Sequence, residues 1–422
     1  MMECLFFFLF SAPTIQYRID WGTASCALME PVVLIIVGIL IVDRALRSGS
    51  IELTDSGMVL LLSALISWAF IIRPWSQDWQ AGLSDLRDWI VPTFVVFSLL
   101  AVEKRGWRRW CAVFLAAVFF QALLGIFQHV TDSTRPFIET EMVHKIGYTF
   151  PGEDEQLSFV PFAVGLFAHP NGYAMFLFAG LLMTAGMWSS RRNRAGLLIV
   201  GLAIAAGLFW SYARSSIIVA ILALTWYVLH RRAVSRRMAV AITGCVAFVA
   251  VVIAWWNAAS VPDAIFGNLR WRFGLWEAAL EVVRANPSVL LLGNGMDRFA
   301  QSAYYAQPHN MYIYFLLQYG LLGLIWLGAI FVILWRSGQR ALQSGLFRCE
   351  PILAGLWLTL MGYFGVGMTE SNLMGIEARQ NFLMVAVMFI GLQREVSAEN
   401  SREGASEFVP NFRGSPAHPN VV

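Results

Sequence analysis

NMYIYFLLQYGLLGLIWLGAIFVILW, residues 310–335, runs from Asn310 to Trp335 without a charge. About 20 apolar residues cross the ~30 Å hydrocarbon core of a bilayer as an α-helix, so this stretch is long enough to span one. Further uncharged runs extend from Ala195 to Ala213 and from Ala239 to Trp256. None alternates polar with apolar residues, which excludes a transmembrane β-barrel.

The rest of the chain belongs to the same solvent. Of its 422 residues, 58% are hydrophobic and 14% charged, with 17 Trp and 31 Phe. That balance excludes a set of soluble domains and predicts an all-α polytopic membrane protein. Hydropathy places about 12 spans, near residues 3–13, 27–43, 57–72, 89–102, 108–129, 170–188, 195–211, 214–230, 238–256, 309–335, 352–369 and 378–393. The apolar start, Met1 to Phe10, has no basic flank and no cleavage site before Pro13, so it reads as a retained first span.

Lysine and arginine are unevenly divided between alternate loops. One set carries Arg44, Arg47, Lys104, Arg105, Arg108, Arg109, Arg191, Arg192, Arg194, Arg231, Arg232, Arg236, Arg237, Arg336, Arg340 and Arg348; the other carries Arg18, Arg73, Arg87, Arg214 and Arg379. The richer set faces the cytoplasm by the positive-inside rule, which puts both termini inside. Residues 1–396 then form the membrane domain. Residues 397–422, rich in Ser, Glu, Asn, Gly and Pro, read as a disordered cytoplasmic tail.

Two long hydrophilic segments fall outside, 130–169 and 257–308. The first carries the acidic run Glu153-Asp154-Glu155 and reads as a solvated loop. In the second, Phe273, Trp276, Leu280 and Val283 recur at helical spacing, and Arg272, Glu277, Glu281 and Arg284 supply a polar side before Asn286-Pro287. This pattern predicts an amphipathic helix at the outer membrane surface. Five scattered cysteines without a CxxC pair indicate neither a disulfide framework nor a thiolate metal site. No metal or other cofactor is expected. The net charge of only +3 points to no nucleic-acid partner.

Topology brings Arg214, Arg272 and His309 to one membrane face. Each has a bland reading alone: a snorkelling arginine, a lipid-headgroup contact, a residue at a helix start. Together they suit a chemical task. Guanidinium forks bind phosphate oxygens, so two of them can hold a diphosphate, and an imidazole can take a proton from an attacking hydroxyl. Gly293-Asn294-Gly295 could turn backbone N–H groups toward an anion, or simply end a helix. Phe167-Ala168-His169-Pro170-Asn171-Gly172-Tyr173 echoes Pro308-His309-Asn310-Met311-Tyr312; an Asn cap with a proline-fixed helix start would account for it.

In order, these segments resemble the bacterial O-antigen ligase and polysaccharide polymerase superfamily of membrane glycosyltransferases. The likeness covers about 160–391: Phe167 to Tyr173, Tyr212 to Ser216, Arg272-x-x-x-Trp276, Gly293-x-Gly295, and Pro308-His309-Asn310-x-Tyr312 leading to Gly320-x-x-Gly323. The resemblance implies a GT-C type helical fold in the inner membrane, with a periplasmic catalytic loop at 257–308. It implies inverting, metal-independent transfer of a glycan from undecaprenyl diphosphate to the hydroxyl of lipid A core or of a lipid-linked glycan. His309 would be the base and Arg214 and Arg272 the diphosphate clamp, supported by Asn171, Trp276, Gly293, Gly295, Asn310 and Tyr312. Two positions depart from the pattern. Gln318 stands where a glutamate is frequent, and Ala163-Val164 where a basic residue is frequent. The competing class is a lipid-linked glycan transporter or flippase, which would place ionisable groups near mid-membrane and show two symmetrical halves.

Overall fold

The computed structural model describes residues 18–21, 24–27, 38, 56–72, 86–94, 106–131, 145–148, 158–161, 163–167, 169–190, 194–231, 262–296, 298–299, 307–371, 373 and 376–406. Helices follow the apolar runs. They are α1 (Ser56–Ile71), α2 (86–94), α3 (Trp107–Thr131), α4 (Pro170–Ser190), α5 (Arg194–Trp210), α6 (Arg214–Arg231), α7 (Pro262–Ala285), α8 (Pro287–Leu292), α9 (Met311–Gln343), α10 (Leu346–Cys349), α11 (Pro351–Val366) and α12 (Ile376–Ser406). Proline opens α4, α7, α8 and α11, where its missing N–H would have had no intrahelical partner. Among the described residues, α3 and α9 are long and apolar enough to cross a membrane. The apolar runs at 3–13 and 238–256, most of 27–43, and the acidic run 153–155 lie outside the described residues.

Two short antiparallel pairs qualify the all-helical expectation: β1 (Arg18–Trp21) with β2 (Ala24–Ala27), and β3 (Lys145–Tyr148) with β4 (Ser158–Pro161). Both lie in segments between apolar runs, where backbone groups need partners that no helix supplies.

At the centre, α11 packs on α4, with α5, α6 and α12 around them. Glycines permit the approach. A Cβ on Gly355 would lie 2.5 Å from the Leu182 carbonyl oxygen, and one on Gly186 2.8 Å from the Ile352 Cα. Small residues at such a crossing let backbones meet, which matters where lipid removes the usual hydrophobic drive.

Helix α9 is broken inside its apolar run. Gly320 has φ 69° and ψ −163°, and the carbonyls around it lose their helical partners. Each is taken by another donor. The Leu317 carbonyl accepts from Gly295 N–H (2.7 Å), the Gln318 carbonyl from Asn294 N–H (3.3 Å), and the Tyr319 carbonyl from the Trp68 indole (2.9 Å). Backbone that departs from a helix inside an apolar body must be satisfied in this way. The Gly293–Gly295 turn is therefore the partner of the break: Asn294 and Gly295 N–H are spent on it, and Gly293 N–H on the Val289 carbonyl. Gln318 is buried at the same place.

The other sequence expectations shift in phase or boundary. On α7, Leu275, Ala279 and Val282 form the buried stripe, joined by Val289, Phe299 and Leu317, whereas Phe273 and Leu280 are exposed. The amphipathic pattern is present, but its protein-facing side is rotated from the four residues read as apolar. At the other end of the chain, α12 continues through Ser406, so residues 397–406 are helical and not a disordered tail. Glu395 and Glu399, four apart on one helical face, meet Arg108 at the start of α3. Arg108 Nε also pairs with Glu350 at 2.7 Å, which ties the first turn of α3 to the start of α11.

Candidate active site

Glu370, in the short connection between α11 and α12, is where the separate motifs converge. It is buried, 6% exposed. Arg272 of α7 donates from Nη2 to its Oε1 at 2.7 Å and from Nη1 to the carbonyl of Thr369. On Oε2 meet the Asn171 amide at 2.7 Å and His309 Nδ1 at 3.1 Å. Helices α4, α7, α9 and the α11–α12 connection thus share one carboxylate.

Burial alone would raise the pKa of Glu370, but the hydrogen bond from His309 and the charge of Arg272 outweigh it and hold the carboxyl below its ordinary value. An ionised carboxylate only accepts, so Nδ1 of His309 carries the proton of their hydrogen bond. The other ring nitrogen, Nε2, is then the position at which the ring exchanges its second proton. Because the folded pKa is depressed, the contribution of Glu370 to stability is complete above the unfolded carboxyl value and is lost as pH falls through the lower folded one. In detergent, the melting temperature of the wild type should exceed that of Glu370→Gln by a margin that does not shrink from pH 7 to about pH 5. A margin that shrinks over that range would mean that Glu370 takes up a proton there.

His309 is held in a strained backbone. Its φ is +47°, a region that non-glycine residues seldom enter. Its neighbours fix it there. The Pro308 carbonyl accepts from the Trp276 indole (2.9 Å), Asn310 N–H donates to Ser371 Oγ (3.2 Å), and Met311 N–H to the Gly367 carbonyl (2.7 Å). Asn310 caps α9: its side-chain oxygen accepts from the N–H groups of Tyr312 and Ile313, and its amide donates to the Met368 carbonyl. Tyr312 reaches the Phe364 carbonyl at 2.9 Å. Strain that its surroundings over-determine to this degree is characteristic of functional sites. The Trp271 ring lies against the imidazole, with centroids 5.3 Å apart.

The Phe167–Tyr173 segment is fixed from α3. Gln128 accepts from the N–H groups of Val164 and Gly165 and donates to the Gly165 carbonyl, and Gln121 accepts from Leu166 N–H. Ala163 and Val164 are fully buried beneath this loop. The expected cap role of Asn171 is not what is found. The helix starts at Pro170 and His169 Nδ1 accepts from Asn171 N–H (3.2 Å), so Asn171 lies inside the first turn, and its side-chain amide donates to Glu370.

Arg214 opens α6 with an exposed side chain. Its neighbour Ser215 accepts from Thr369 Oγ1 at 2.8 Å, so the start of α6 is joined to the segment bearing Glu370. Of the residues expected in the site, Arg272, His309 and Asn171 meet on one group, while Trp276, Asn310 and Tyr312 hold the start of α9. Gly293 and Gly295 lie at the α9 break. Glu370 itself went unnoticed in the sequence. Its signal was a carboxylate at the end of an apolar run, in a connection too short to carry it away. Comparison with protein-family models finds no match to this chain, and none is found among curated proteins.

Proposed function

We propose that this chain is a metal-independent glycosyltransferase of the bacterial inner membrane, with about 12 spans, both termini in the cytoplasm and its active site at the periplasmic face. It moves a glycan from undecaprenyl diphosphate to an acceptor hydroxyl, as in O-antigen or other surface-polysaccharide assembly. The observation that carries this reading is the Arg272–Glu370–His309 cluster, which pairs an oriented imidazole with a guanidinium on one carboxylate. Support also comes from the coincidence of described helices with apolar runs, and from the Thr369–Ser215 hydrogen bond that joins the turn at Arg214 to the segment bearing Glu370.

In the proposed step, the acceptor O–H gives its proton to His309 Nε2 as its oxygen bonds to the anomeric carbon from the face opposite the diphosphate. The bond from that carbon to the diphosphate oxygen breaks, and the electron pair leaves with undecaprenyl diphosphate. Configuration inverts. Glu370 stabilises the imidazolium that forms, and Arg214 and Arg272 stabilise the charge growing on the leaving diphosphate. Arg272 directs Nη2 to Glu370 and Nη1 to the Thr369 carbonyl. The cluster of Arg272 and Glu370 is neutral as a pair, so exposed Arg214 supplies the net positive charge.

Arg214→Lys is therefore expected to slow transfer by at least about tenfold, because lysine keeps the charge and loses the planar fork. Equal rates for the two proteins would reduce Arg214 to an electrostatic anchor. The glycan profile of a deletion strain tests the function as a whole. Long glycan stranded on the carrier beside bare acceptor identifies a ligase, and single repeat units in place of long chains identify a polymerase. An unchanged profile would count against both.

A further inference from the structure

We infer that a groove between α4, α5 and α6 binds an anionic phospholipid of the cytoplasmic leaflet, with one acyl chain in the groove and the phosphate at Arg231. The inference rests on the membrane placement proposed above and not on the transfer chemistry. The groove has a volume of about 430 Å³ and is lined by Leu181, Trp188, Leu198, Leu202, Val228 and Arg231, among others. It runs from Leu224 to Arg231 on α6 and from Leu181 to Trp188 on α4, about 10 Å along each helix. Asn171, the α4 contact of Glu370, lies about 15 Å back along the same helix from Leu181, so the two sites are separate.

The groove wall is mostly apolar. Of its polar groups, the Thr184 hydroxyl is committed to the Gly180 carbonyl at 2.8 Å, and Tyr227 is buried in the α6 wall. Arg231 closes the helix and stands exposed at the groove's mouth. Arg191, Arg192, Arg194 and Arg232 flank the same end in sequence. An acyl chain gains little by leaving other acyl chains, so the charge at the mouth decides the occupant. Arginine there favours an anionic headgroup over a zwitterionic one, by roughly fivefold for a single residue at a membrane surface.

The full chain, extracted in detergent from alkali-washed membranes, would be exposed to equimolar phosphatidylglycerol and phosphatidylethanolamine and its retained lipids counted by native mass spectrometry. The wild type should keep phosphatidylglycerol in about fivefold excess, and Arg231→Gln should keep the two equally. A Cβ on Gly201 would lie 3.4 Å from Thr184 Cγ2, so Gly201→Phe would fill the groove and should lose the retained lipid. Equal retention by the wild type, or an undiminished preference in either variant, overturns the site. Release of the chain by the alkaline wash would instead overturn the membrane placement itself.

Discussion

Glu370→Ala should abolish glycan transfer and destabilise the folded protein by about 3–5 kcal/mol, the usual consequence of removing one partner from a buried ion pair. Alanine leaves the Arg272 guanidinium facing a vacated site and removes the acceptor of His309 Nδ1–H and of the Asn171 amide. The losses compound, because one carboxylate serves elements that are far apart in sequence. Glu370→Gln separates the two effects. An amide still accepts from one neighbour, so most of the fold should survive, but it brings no charge to stabilise an imidazolium. Its transfer rate should still fall by roughly 10²-fold or more, within the range for positioned acid–base groups. Thermal melting of purified protein in detergent, beside a transfer assay, reads both. A Glu370→Ala protein that melts with the wild type would contradict the shared-carboxylate arrangement.

The second large effect is expected at the break in α9. Gly320→Ala places a Cβ 2.3 Å from the backbone carbonyl oxygen of Leu291, and it forces alanine into φ 69°, ψ −163°. The backbone conformation alone costs about 1–3 kcal/mol for a residue with a Cβ. Overpacking adds about 1–3 kcal/mol more, since the obstacle is backbone and cannot rotate aside. Gly293 faces the same crossing, where its own Cβ would lie 2.5 Å from the Gln318 carbonyl oxygen. Separating these strands would also strand the carbonyls of Leu317 and Gln318 in an apolar body. Melting of Gly320→Ala in detergent should show the loss. A wild-type midpoint would mean that α9 can run straight through this position.

How much of this was legible beforehand varies with the length scale of the signal. Long uncharged runs such as Asn310 to Trp335 declare helices, because backbone groups in an apolar setting need local partners. The break at Gly320 inside that run was invisible. Glycine is common in apolar helices, and only the approach of Gly293 from another segment makes this one necessary. The two Asn motifs show the same limit. Asn310 and Asn171 each sit near a helix start and look interchangeable, yet Asn310 caps its helix while Asn171 reaches Glu370. The difference arises because the helix already starts at Pro170, so His169 holds the cap position, with its ring accepting from Asn171 N–H, and Asn171 lies inside the first turn.

The site was legible as a set of donors and not as a set of pairs. Arg272 stood out on the amphipathic pattern of the outer segment, and His309 at the start of a span. Glu370 did not, since a single carboxylate in a short loop is ordinarily solvated. Only the folded arrangement makes it buried and common to both. For α12, the absence of an apolar period after residue 396 suggested disorder. Glu395 and Glu399 would repel each other on a lone helix, and only Arg108, from a helix far away in sequence, makes their shared face favourable.

The rate of glycan transfer from an undecaprenyl diphosphate-linked donor by purified wild type and His309→Ala bears most directly on the central claim. If His309 is the base, the variant should lose about 10²–10⁴-fold in rate while remaining folded and in the membrane. Transfer at the wild-type rate by folded His309→Ala would remove His309 from the chemistry and leave its strained backbone without the role assigned to it.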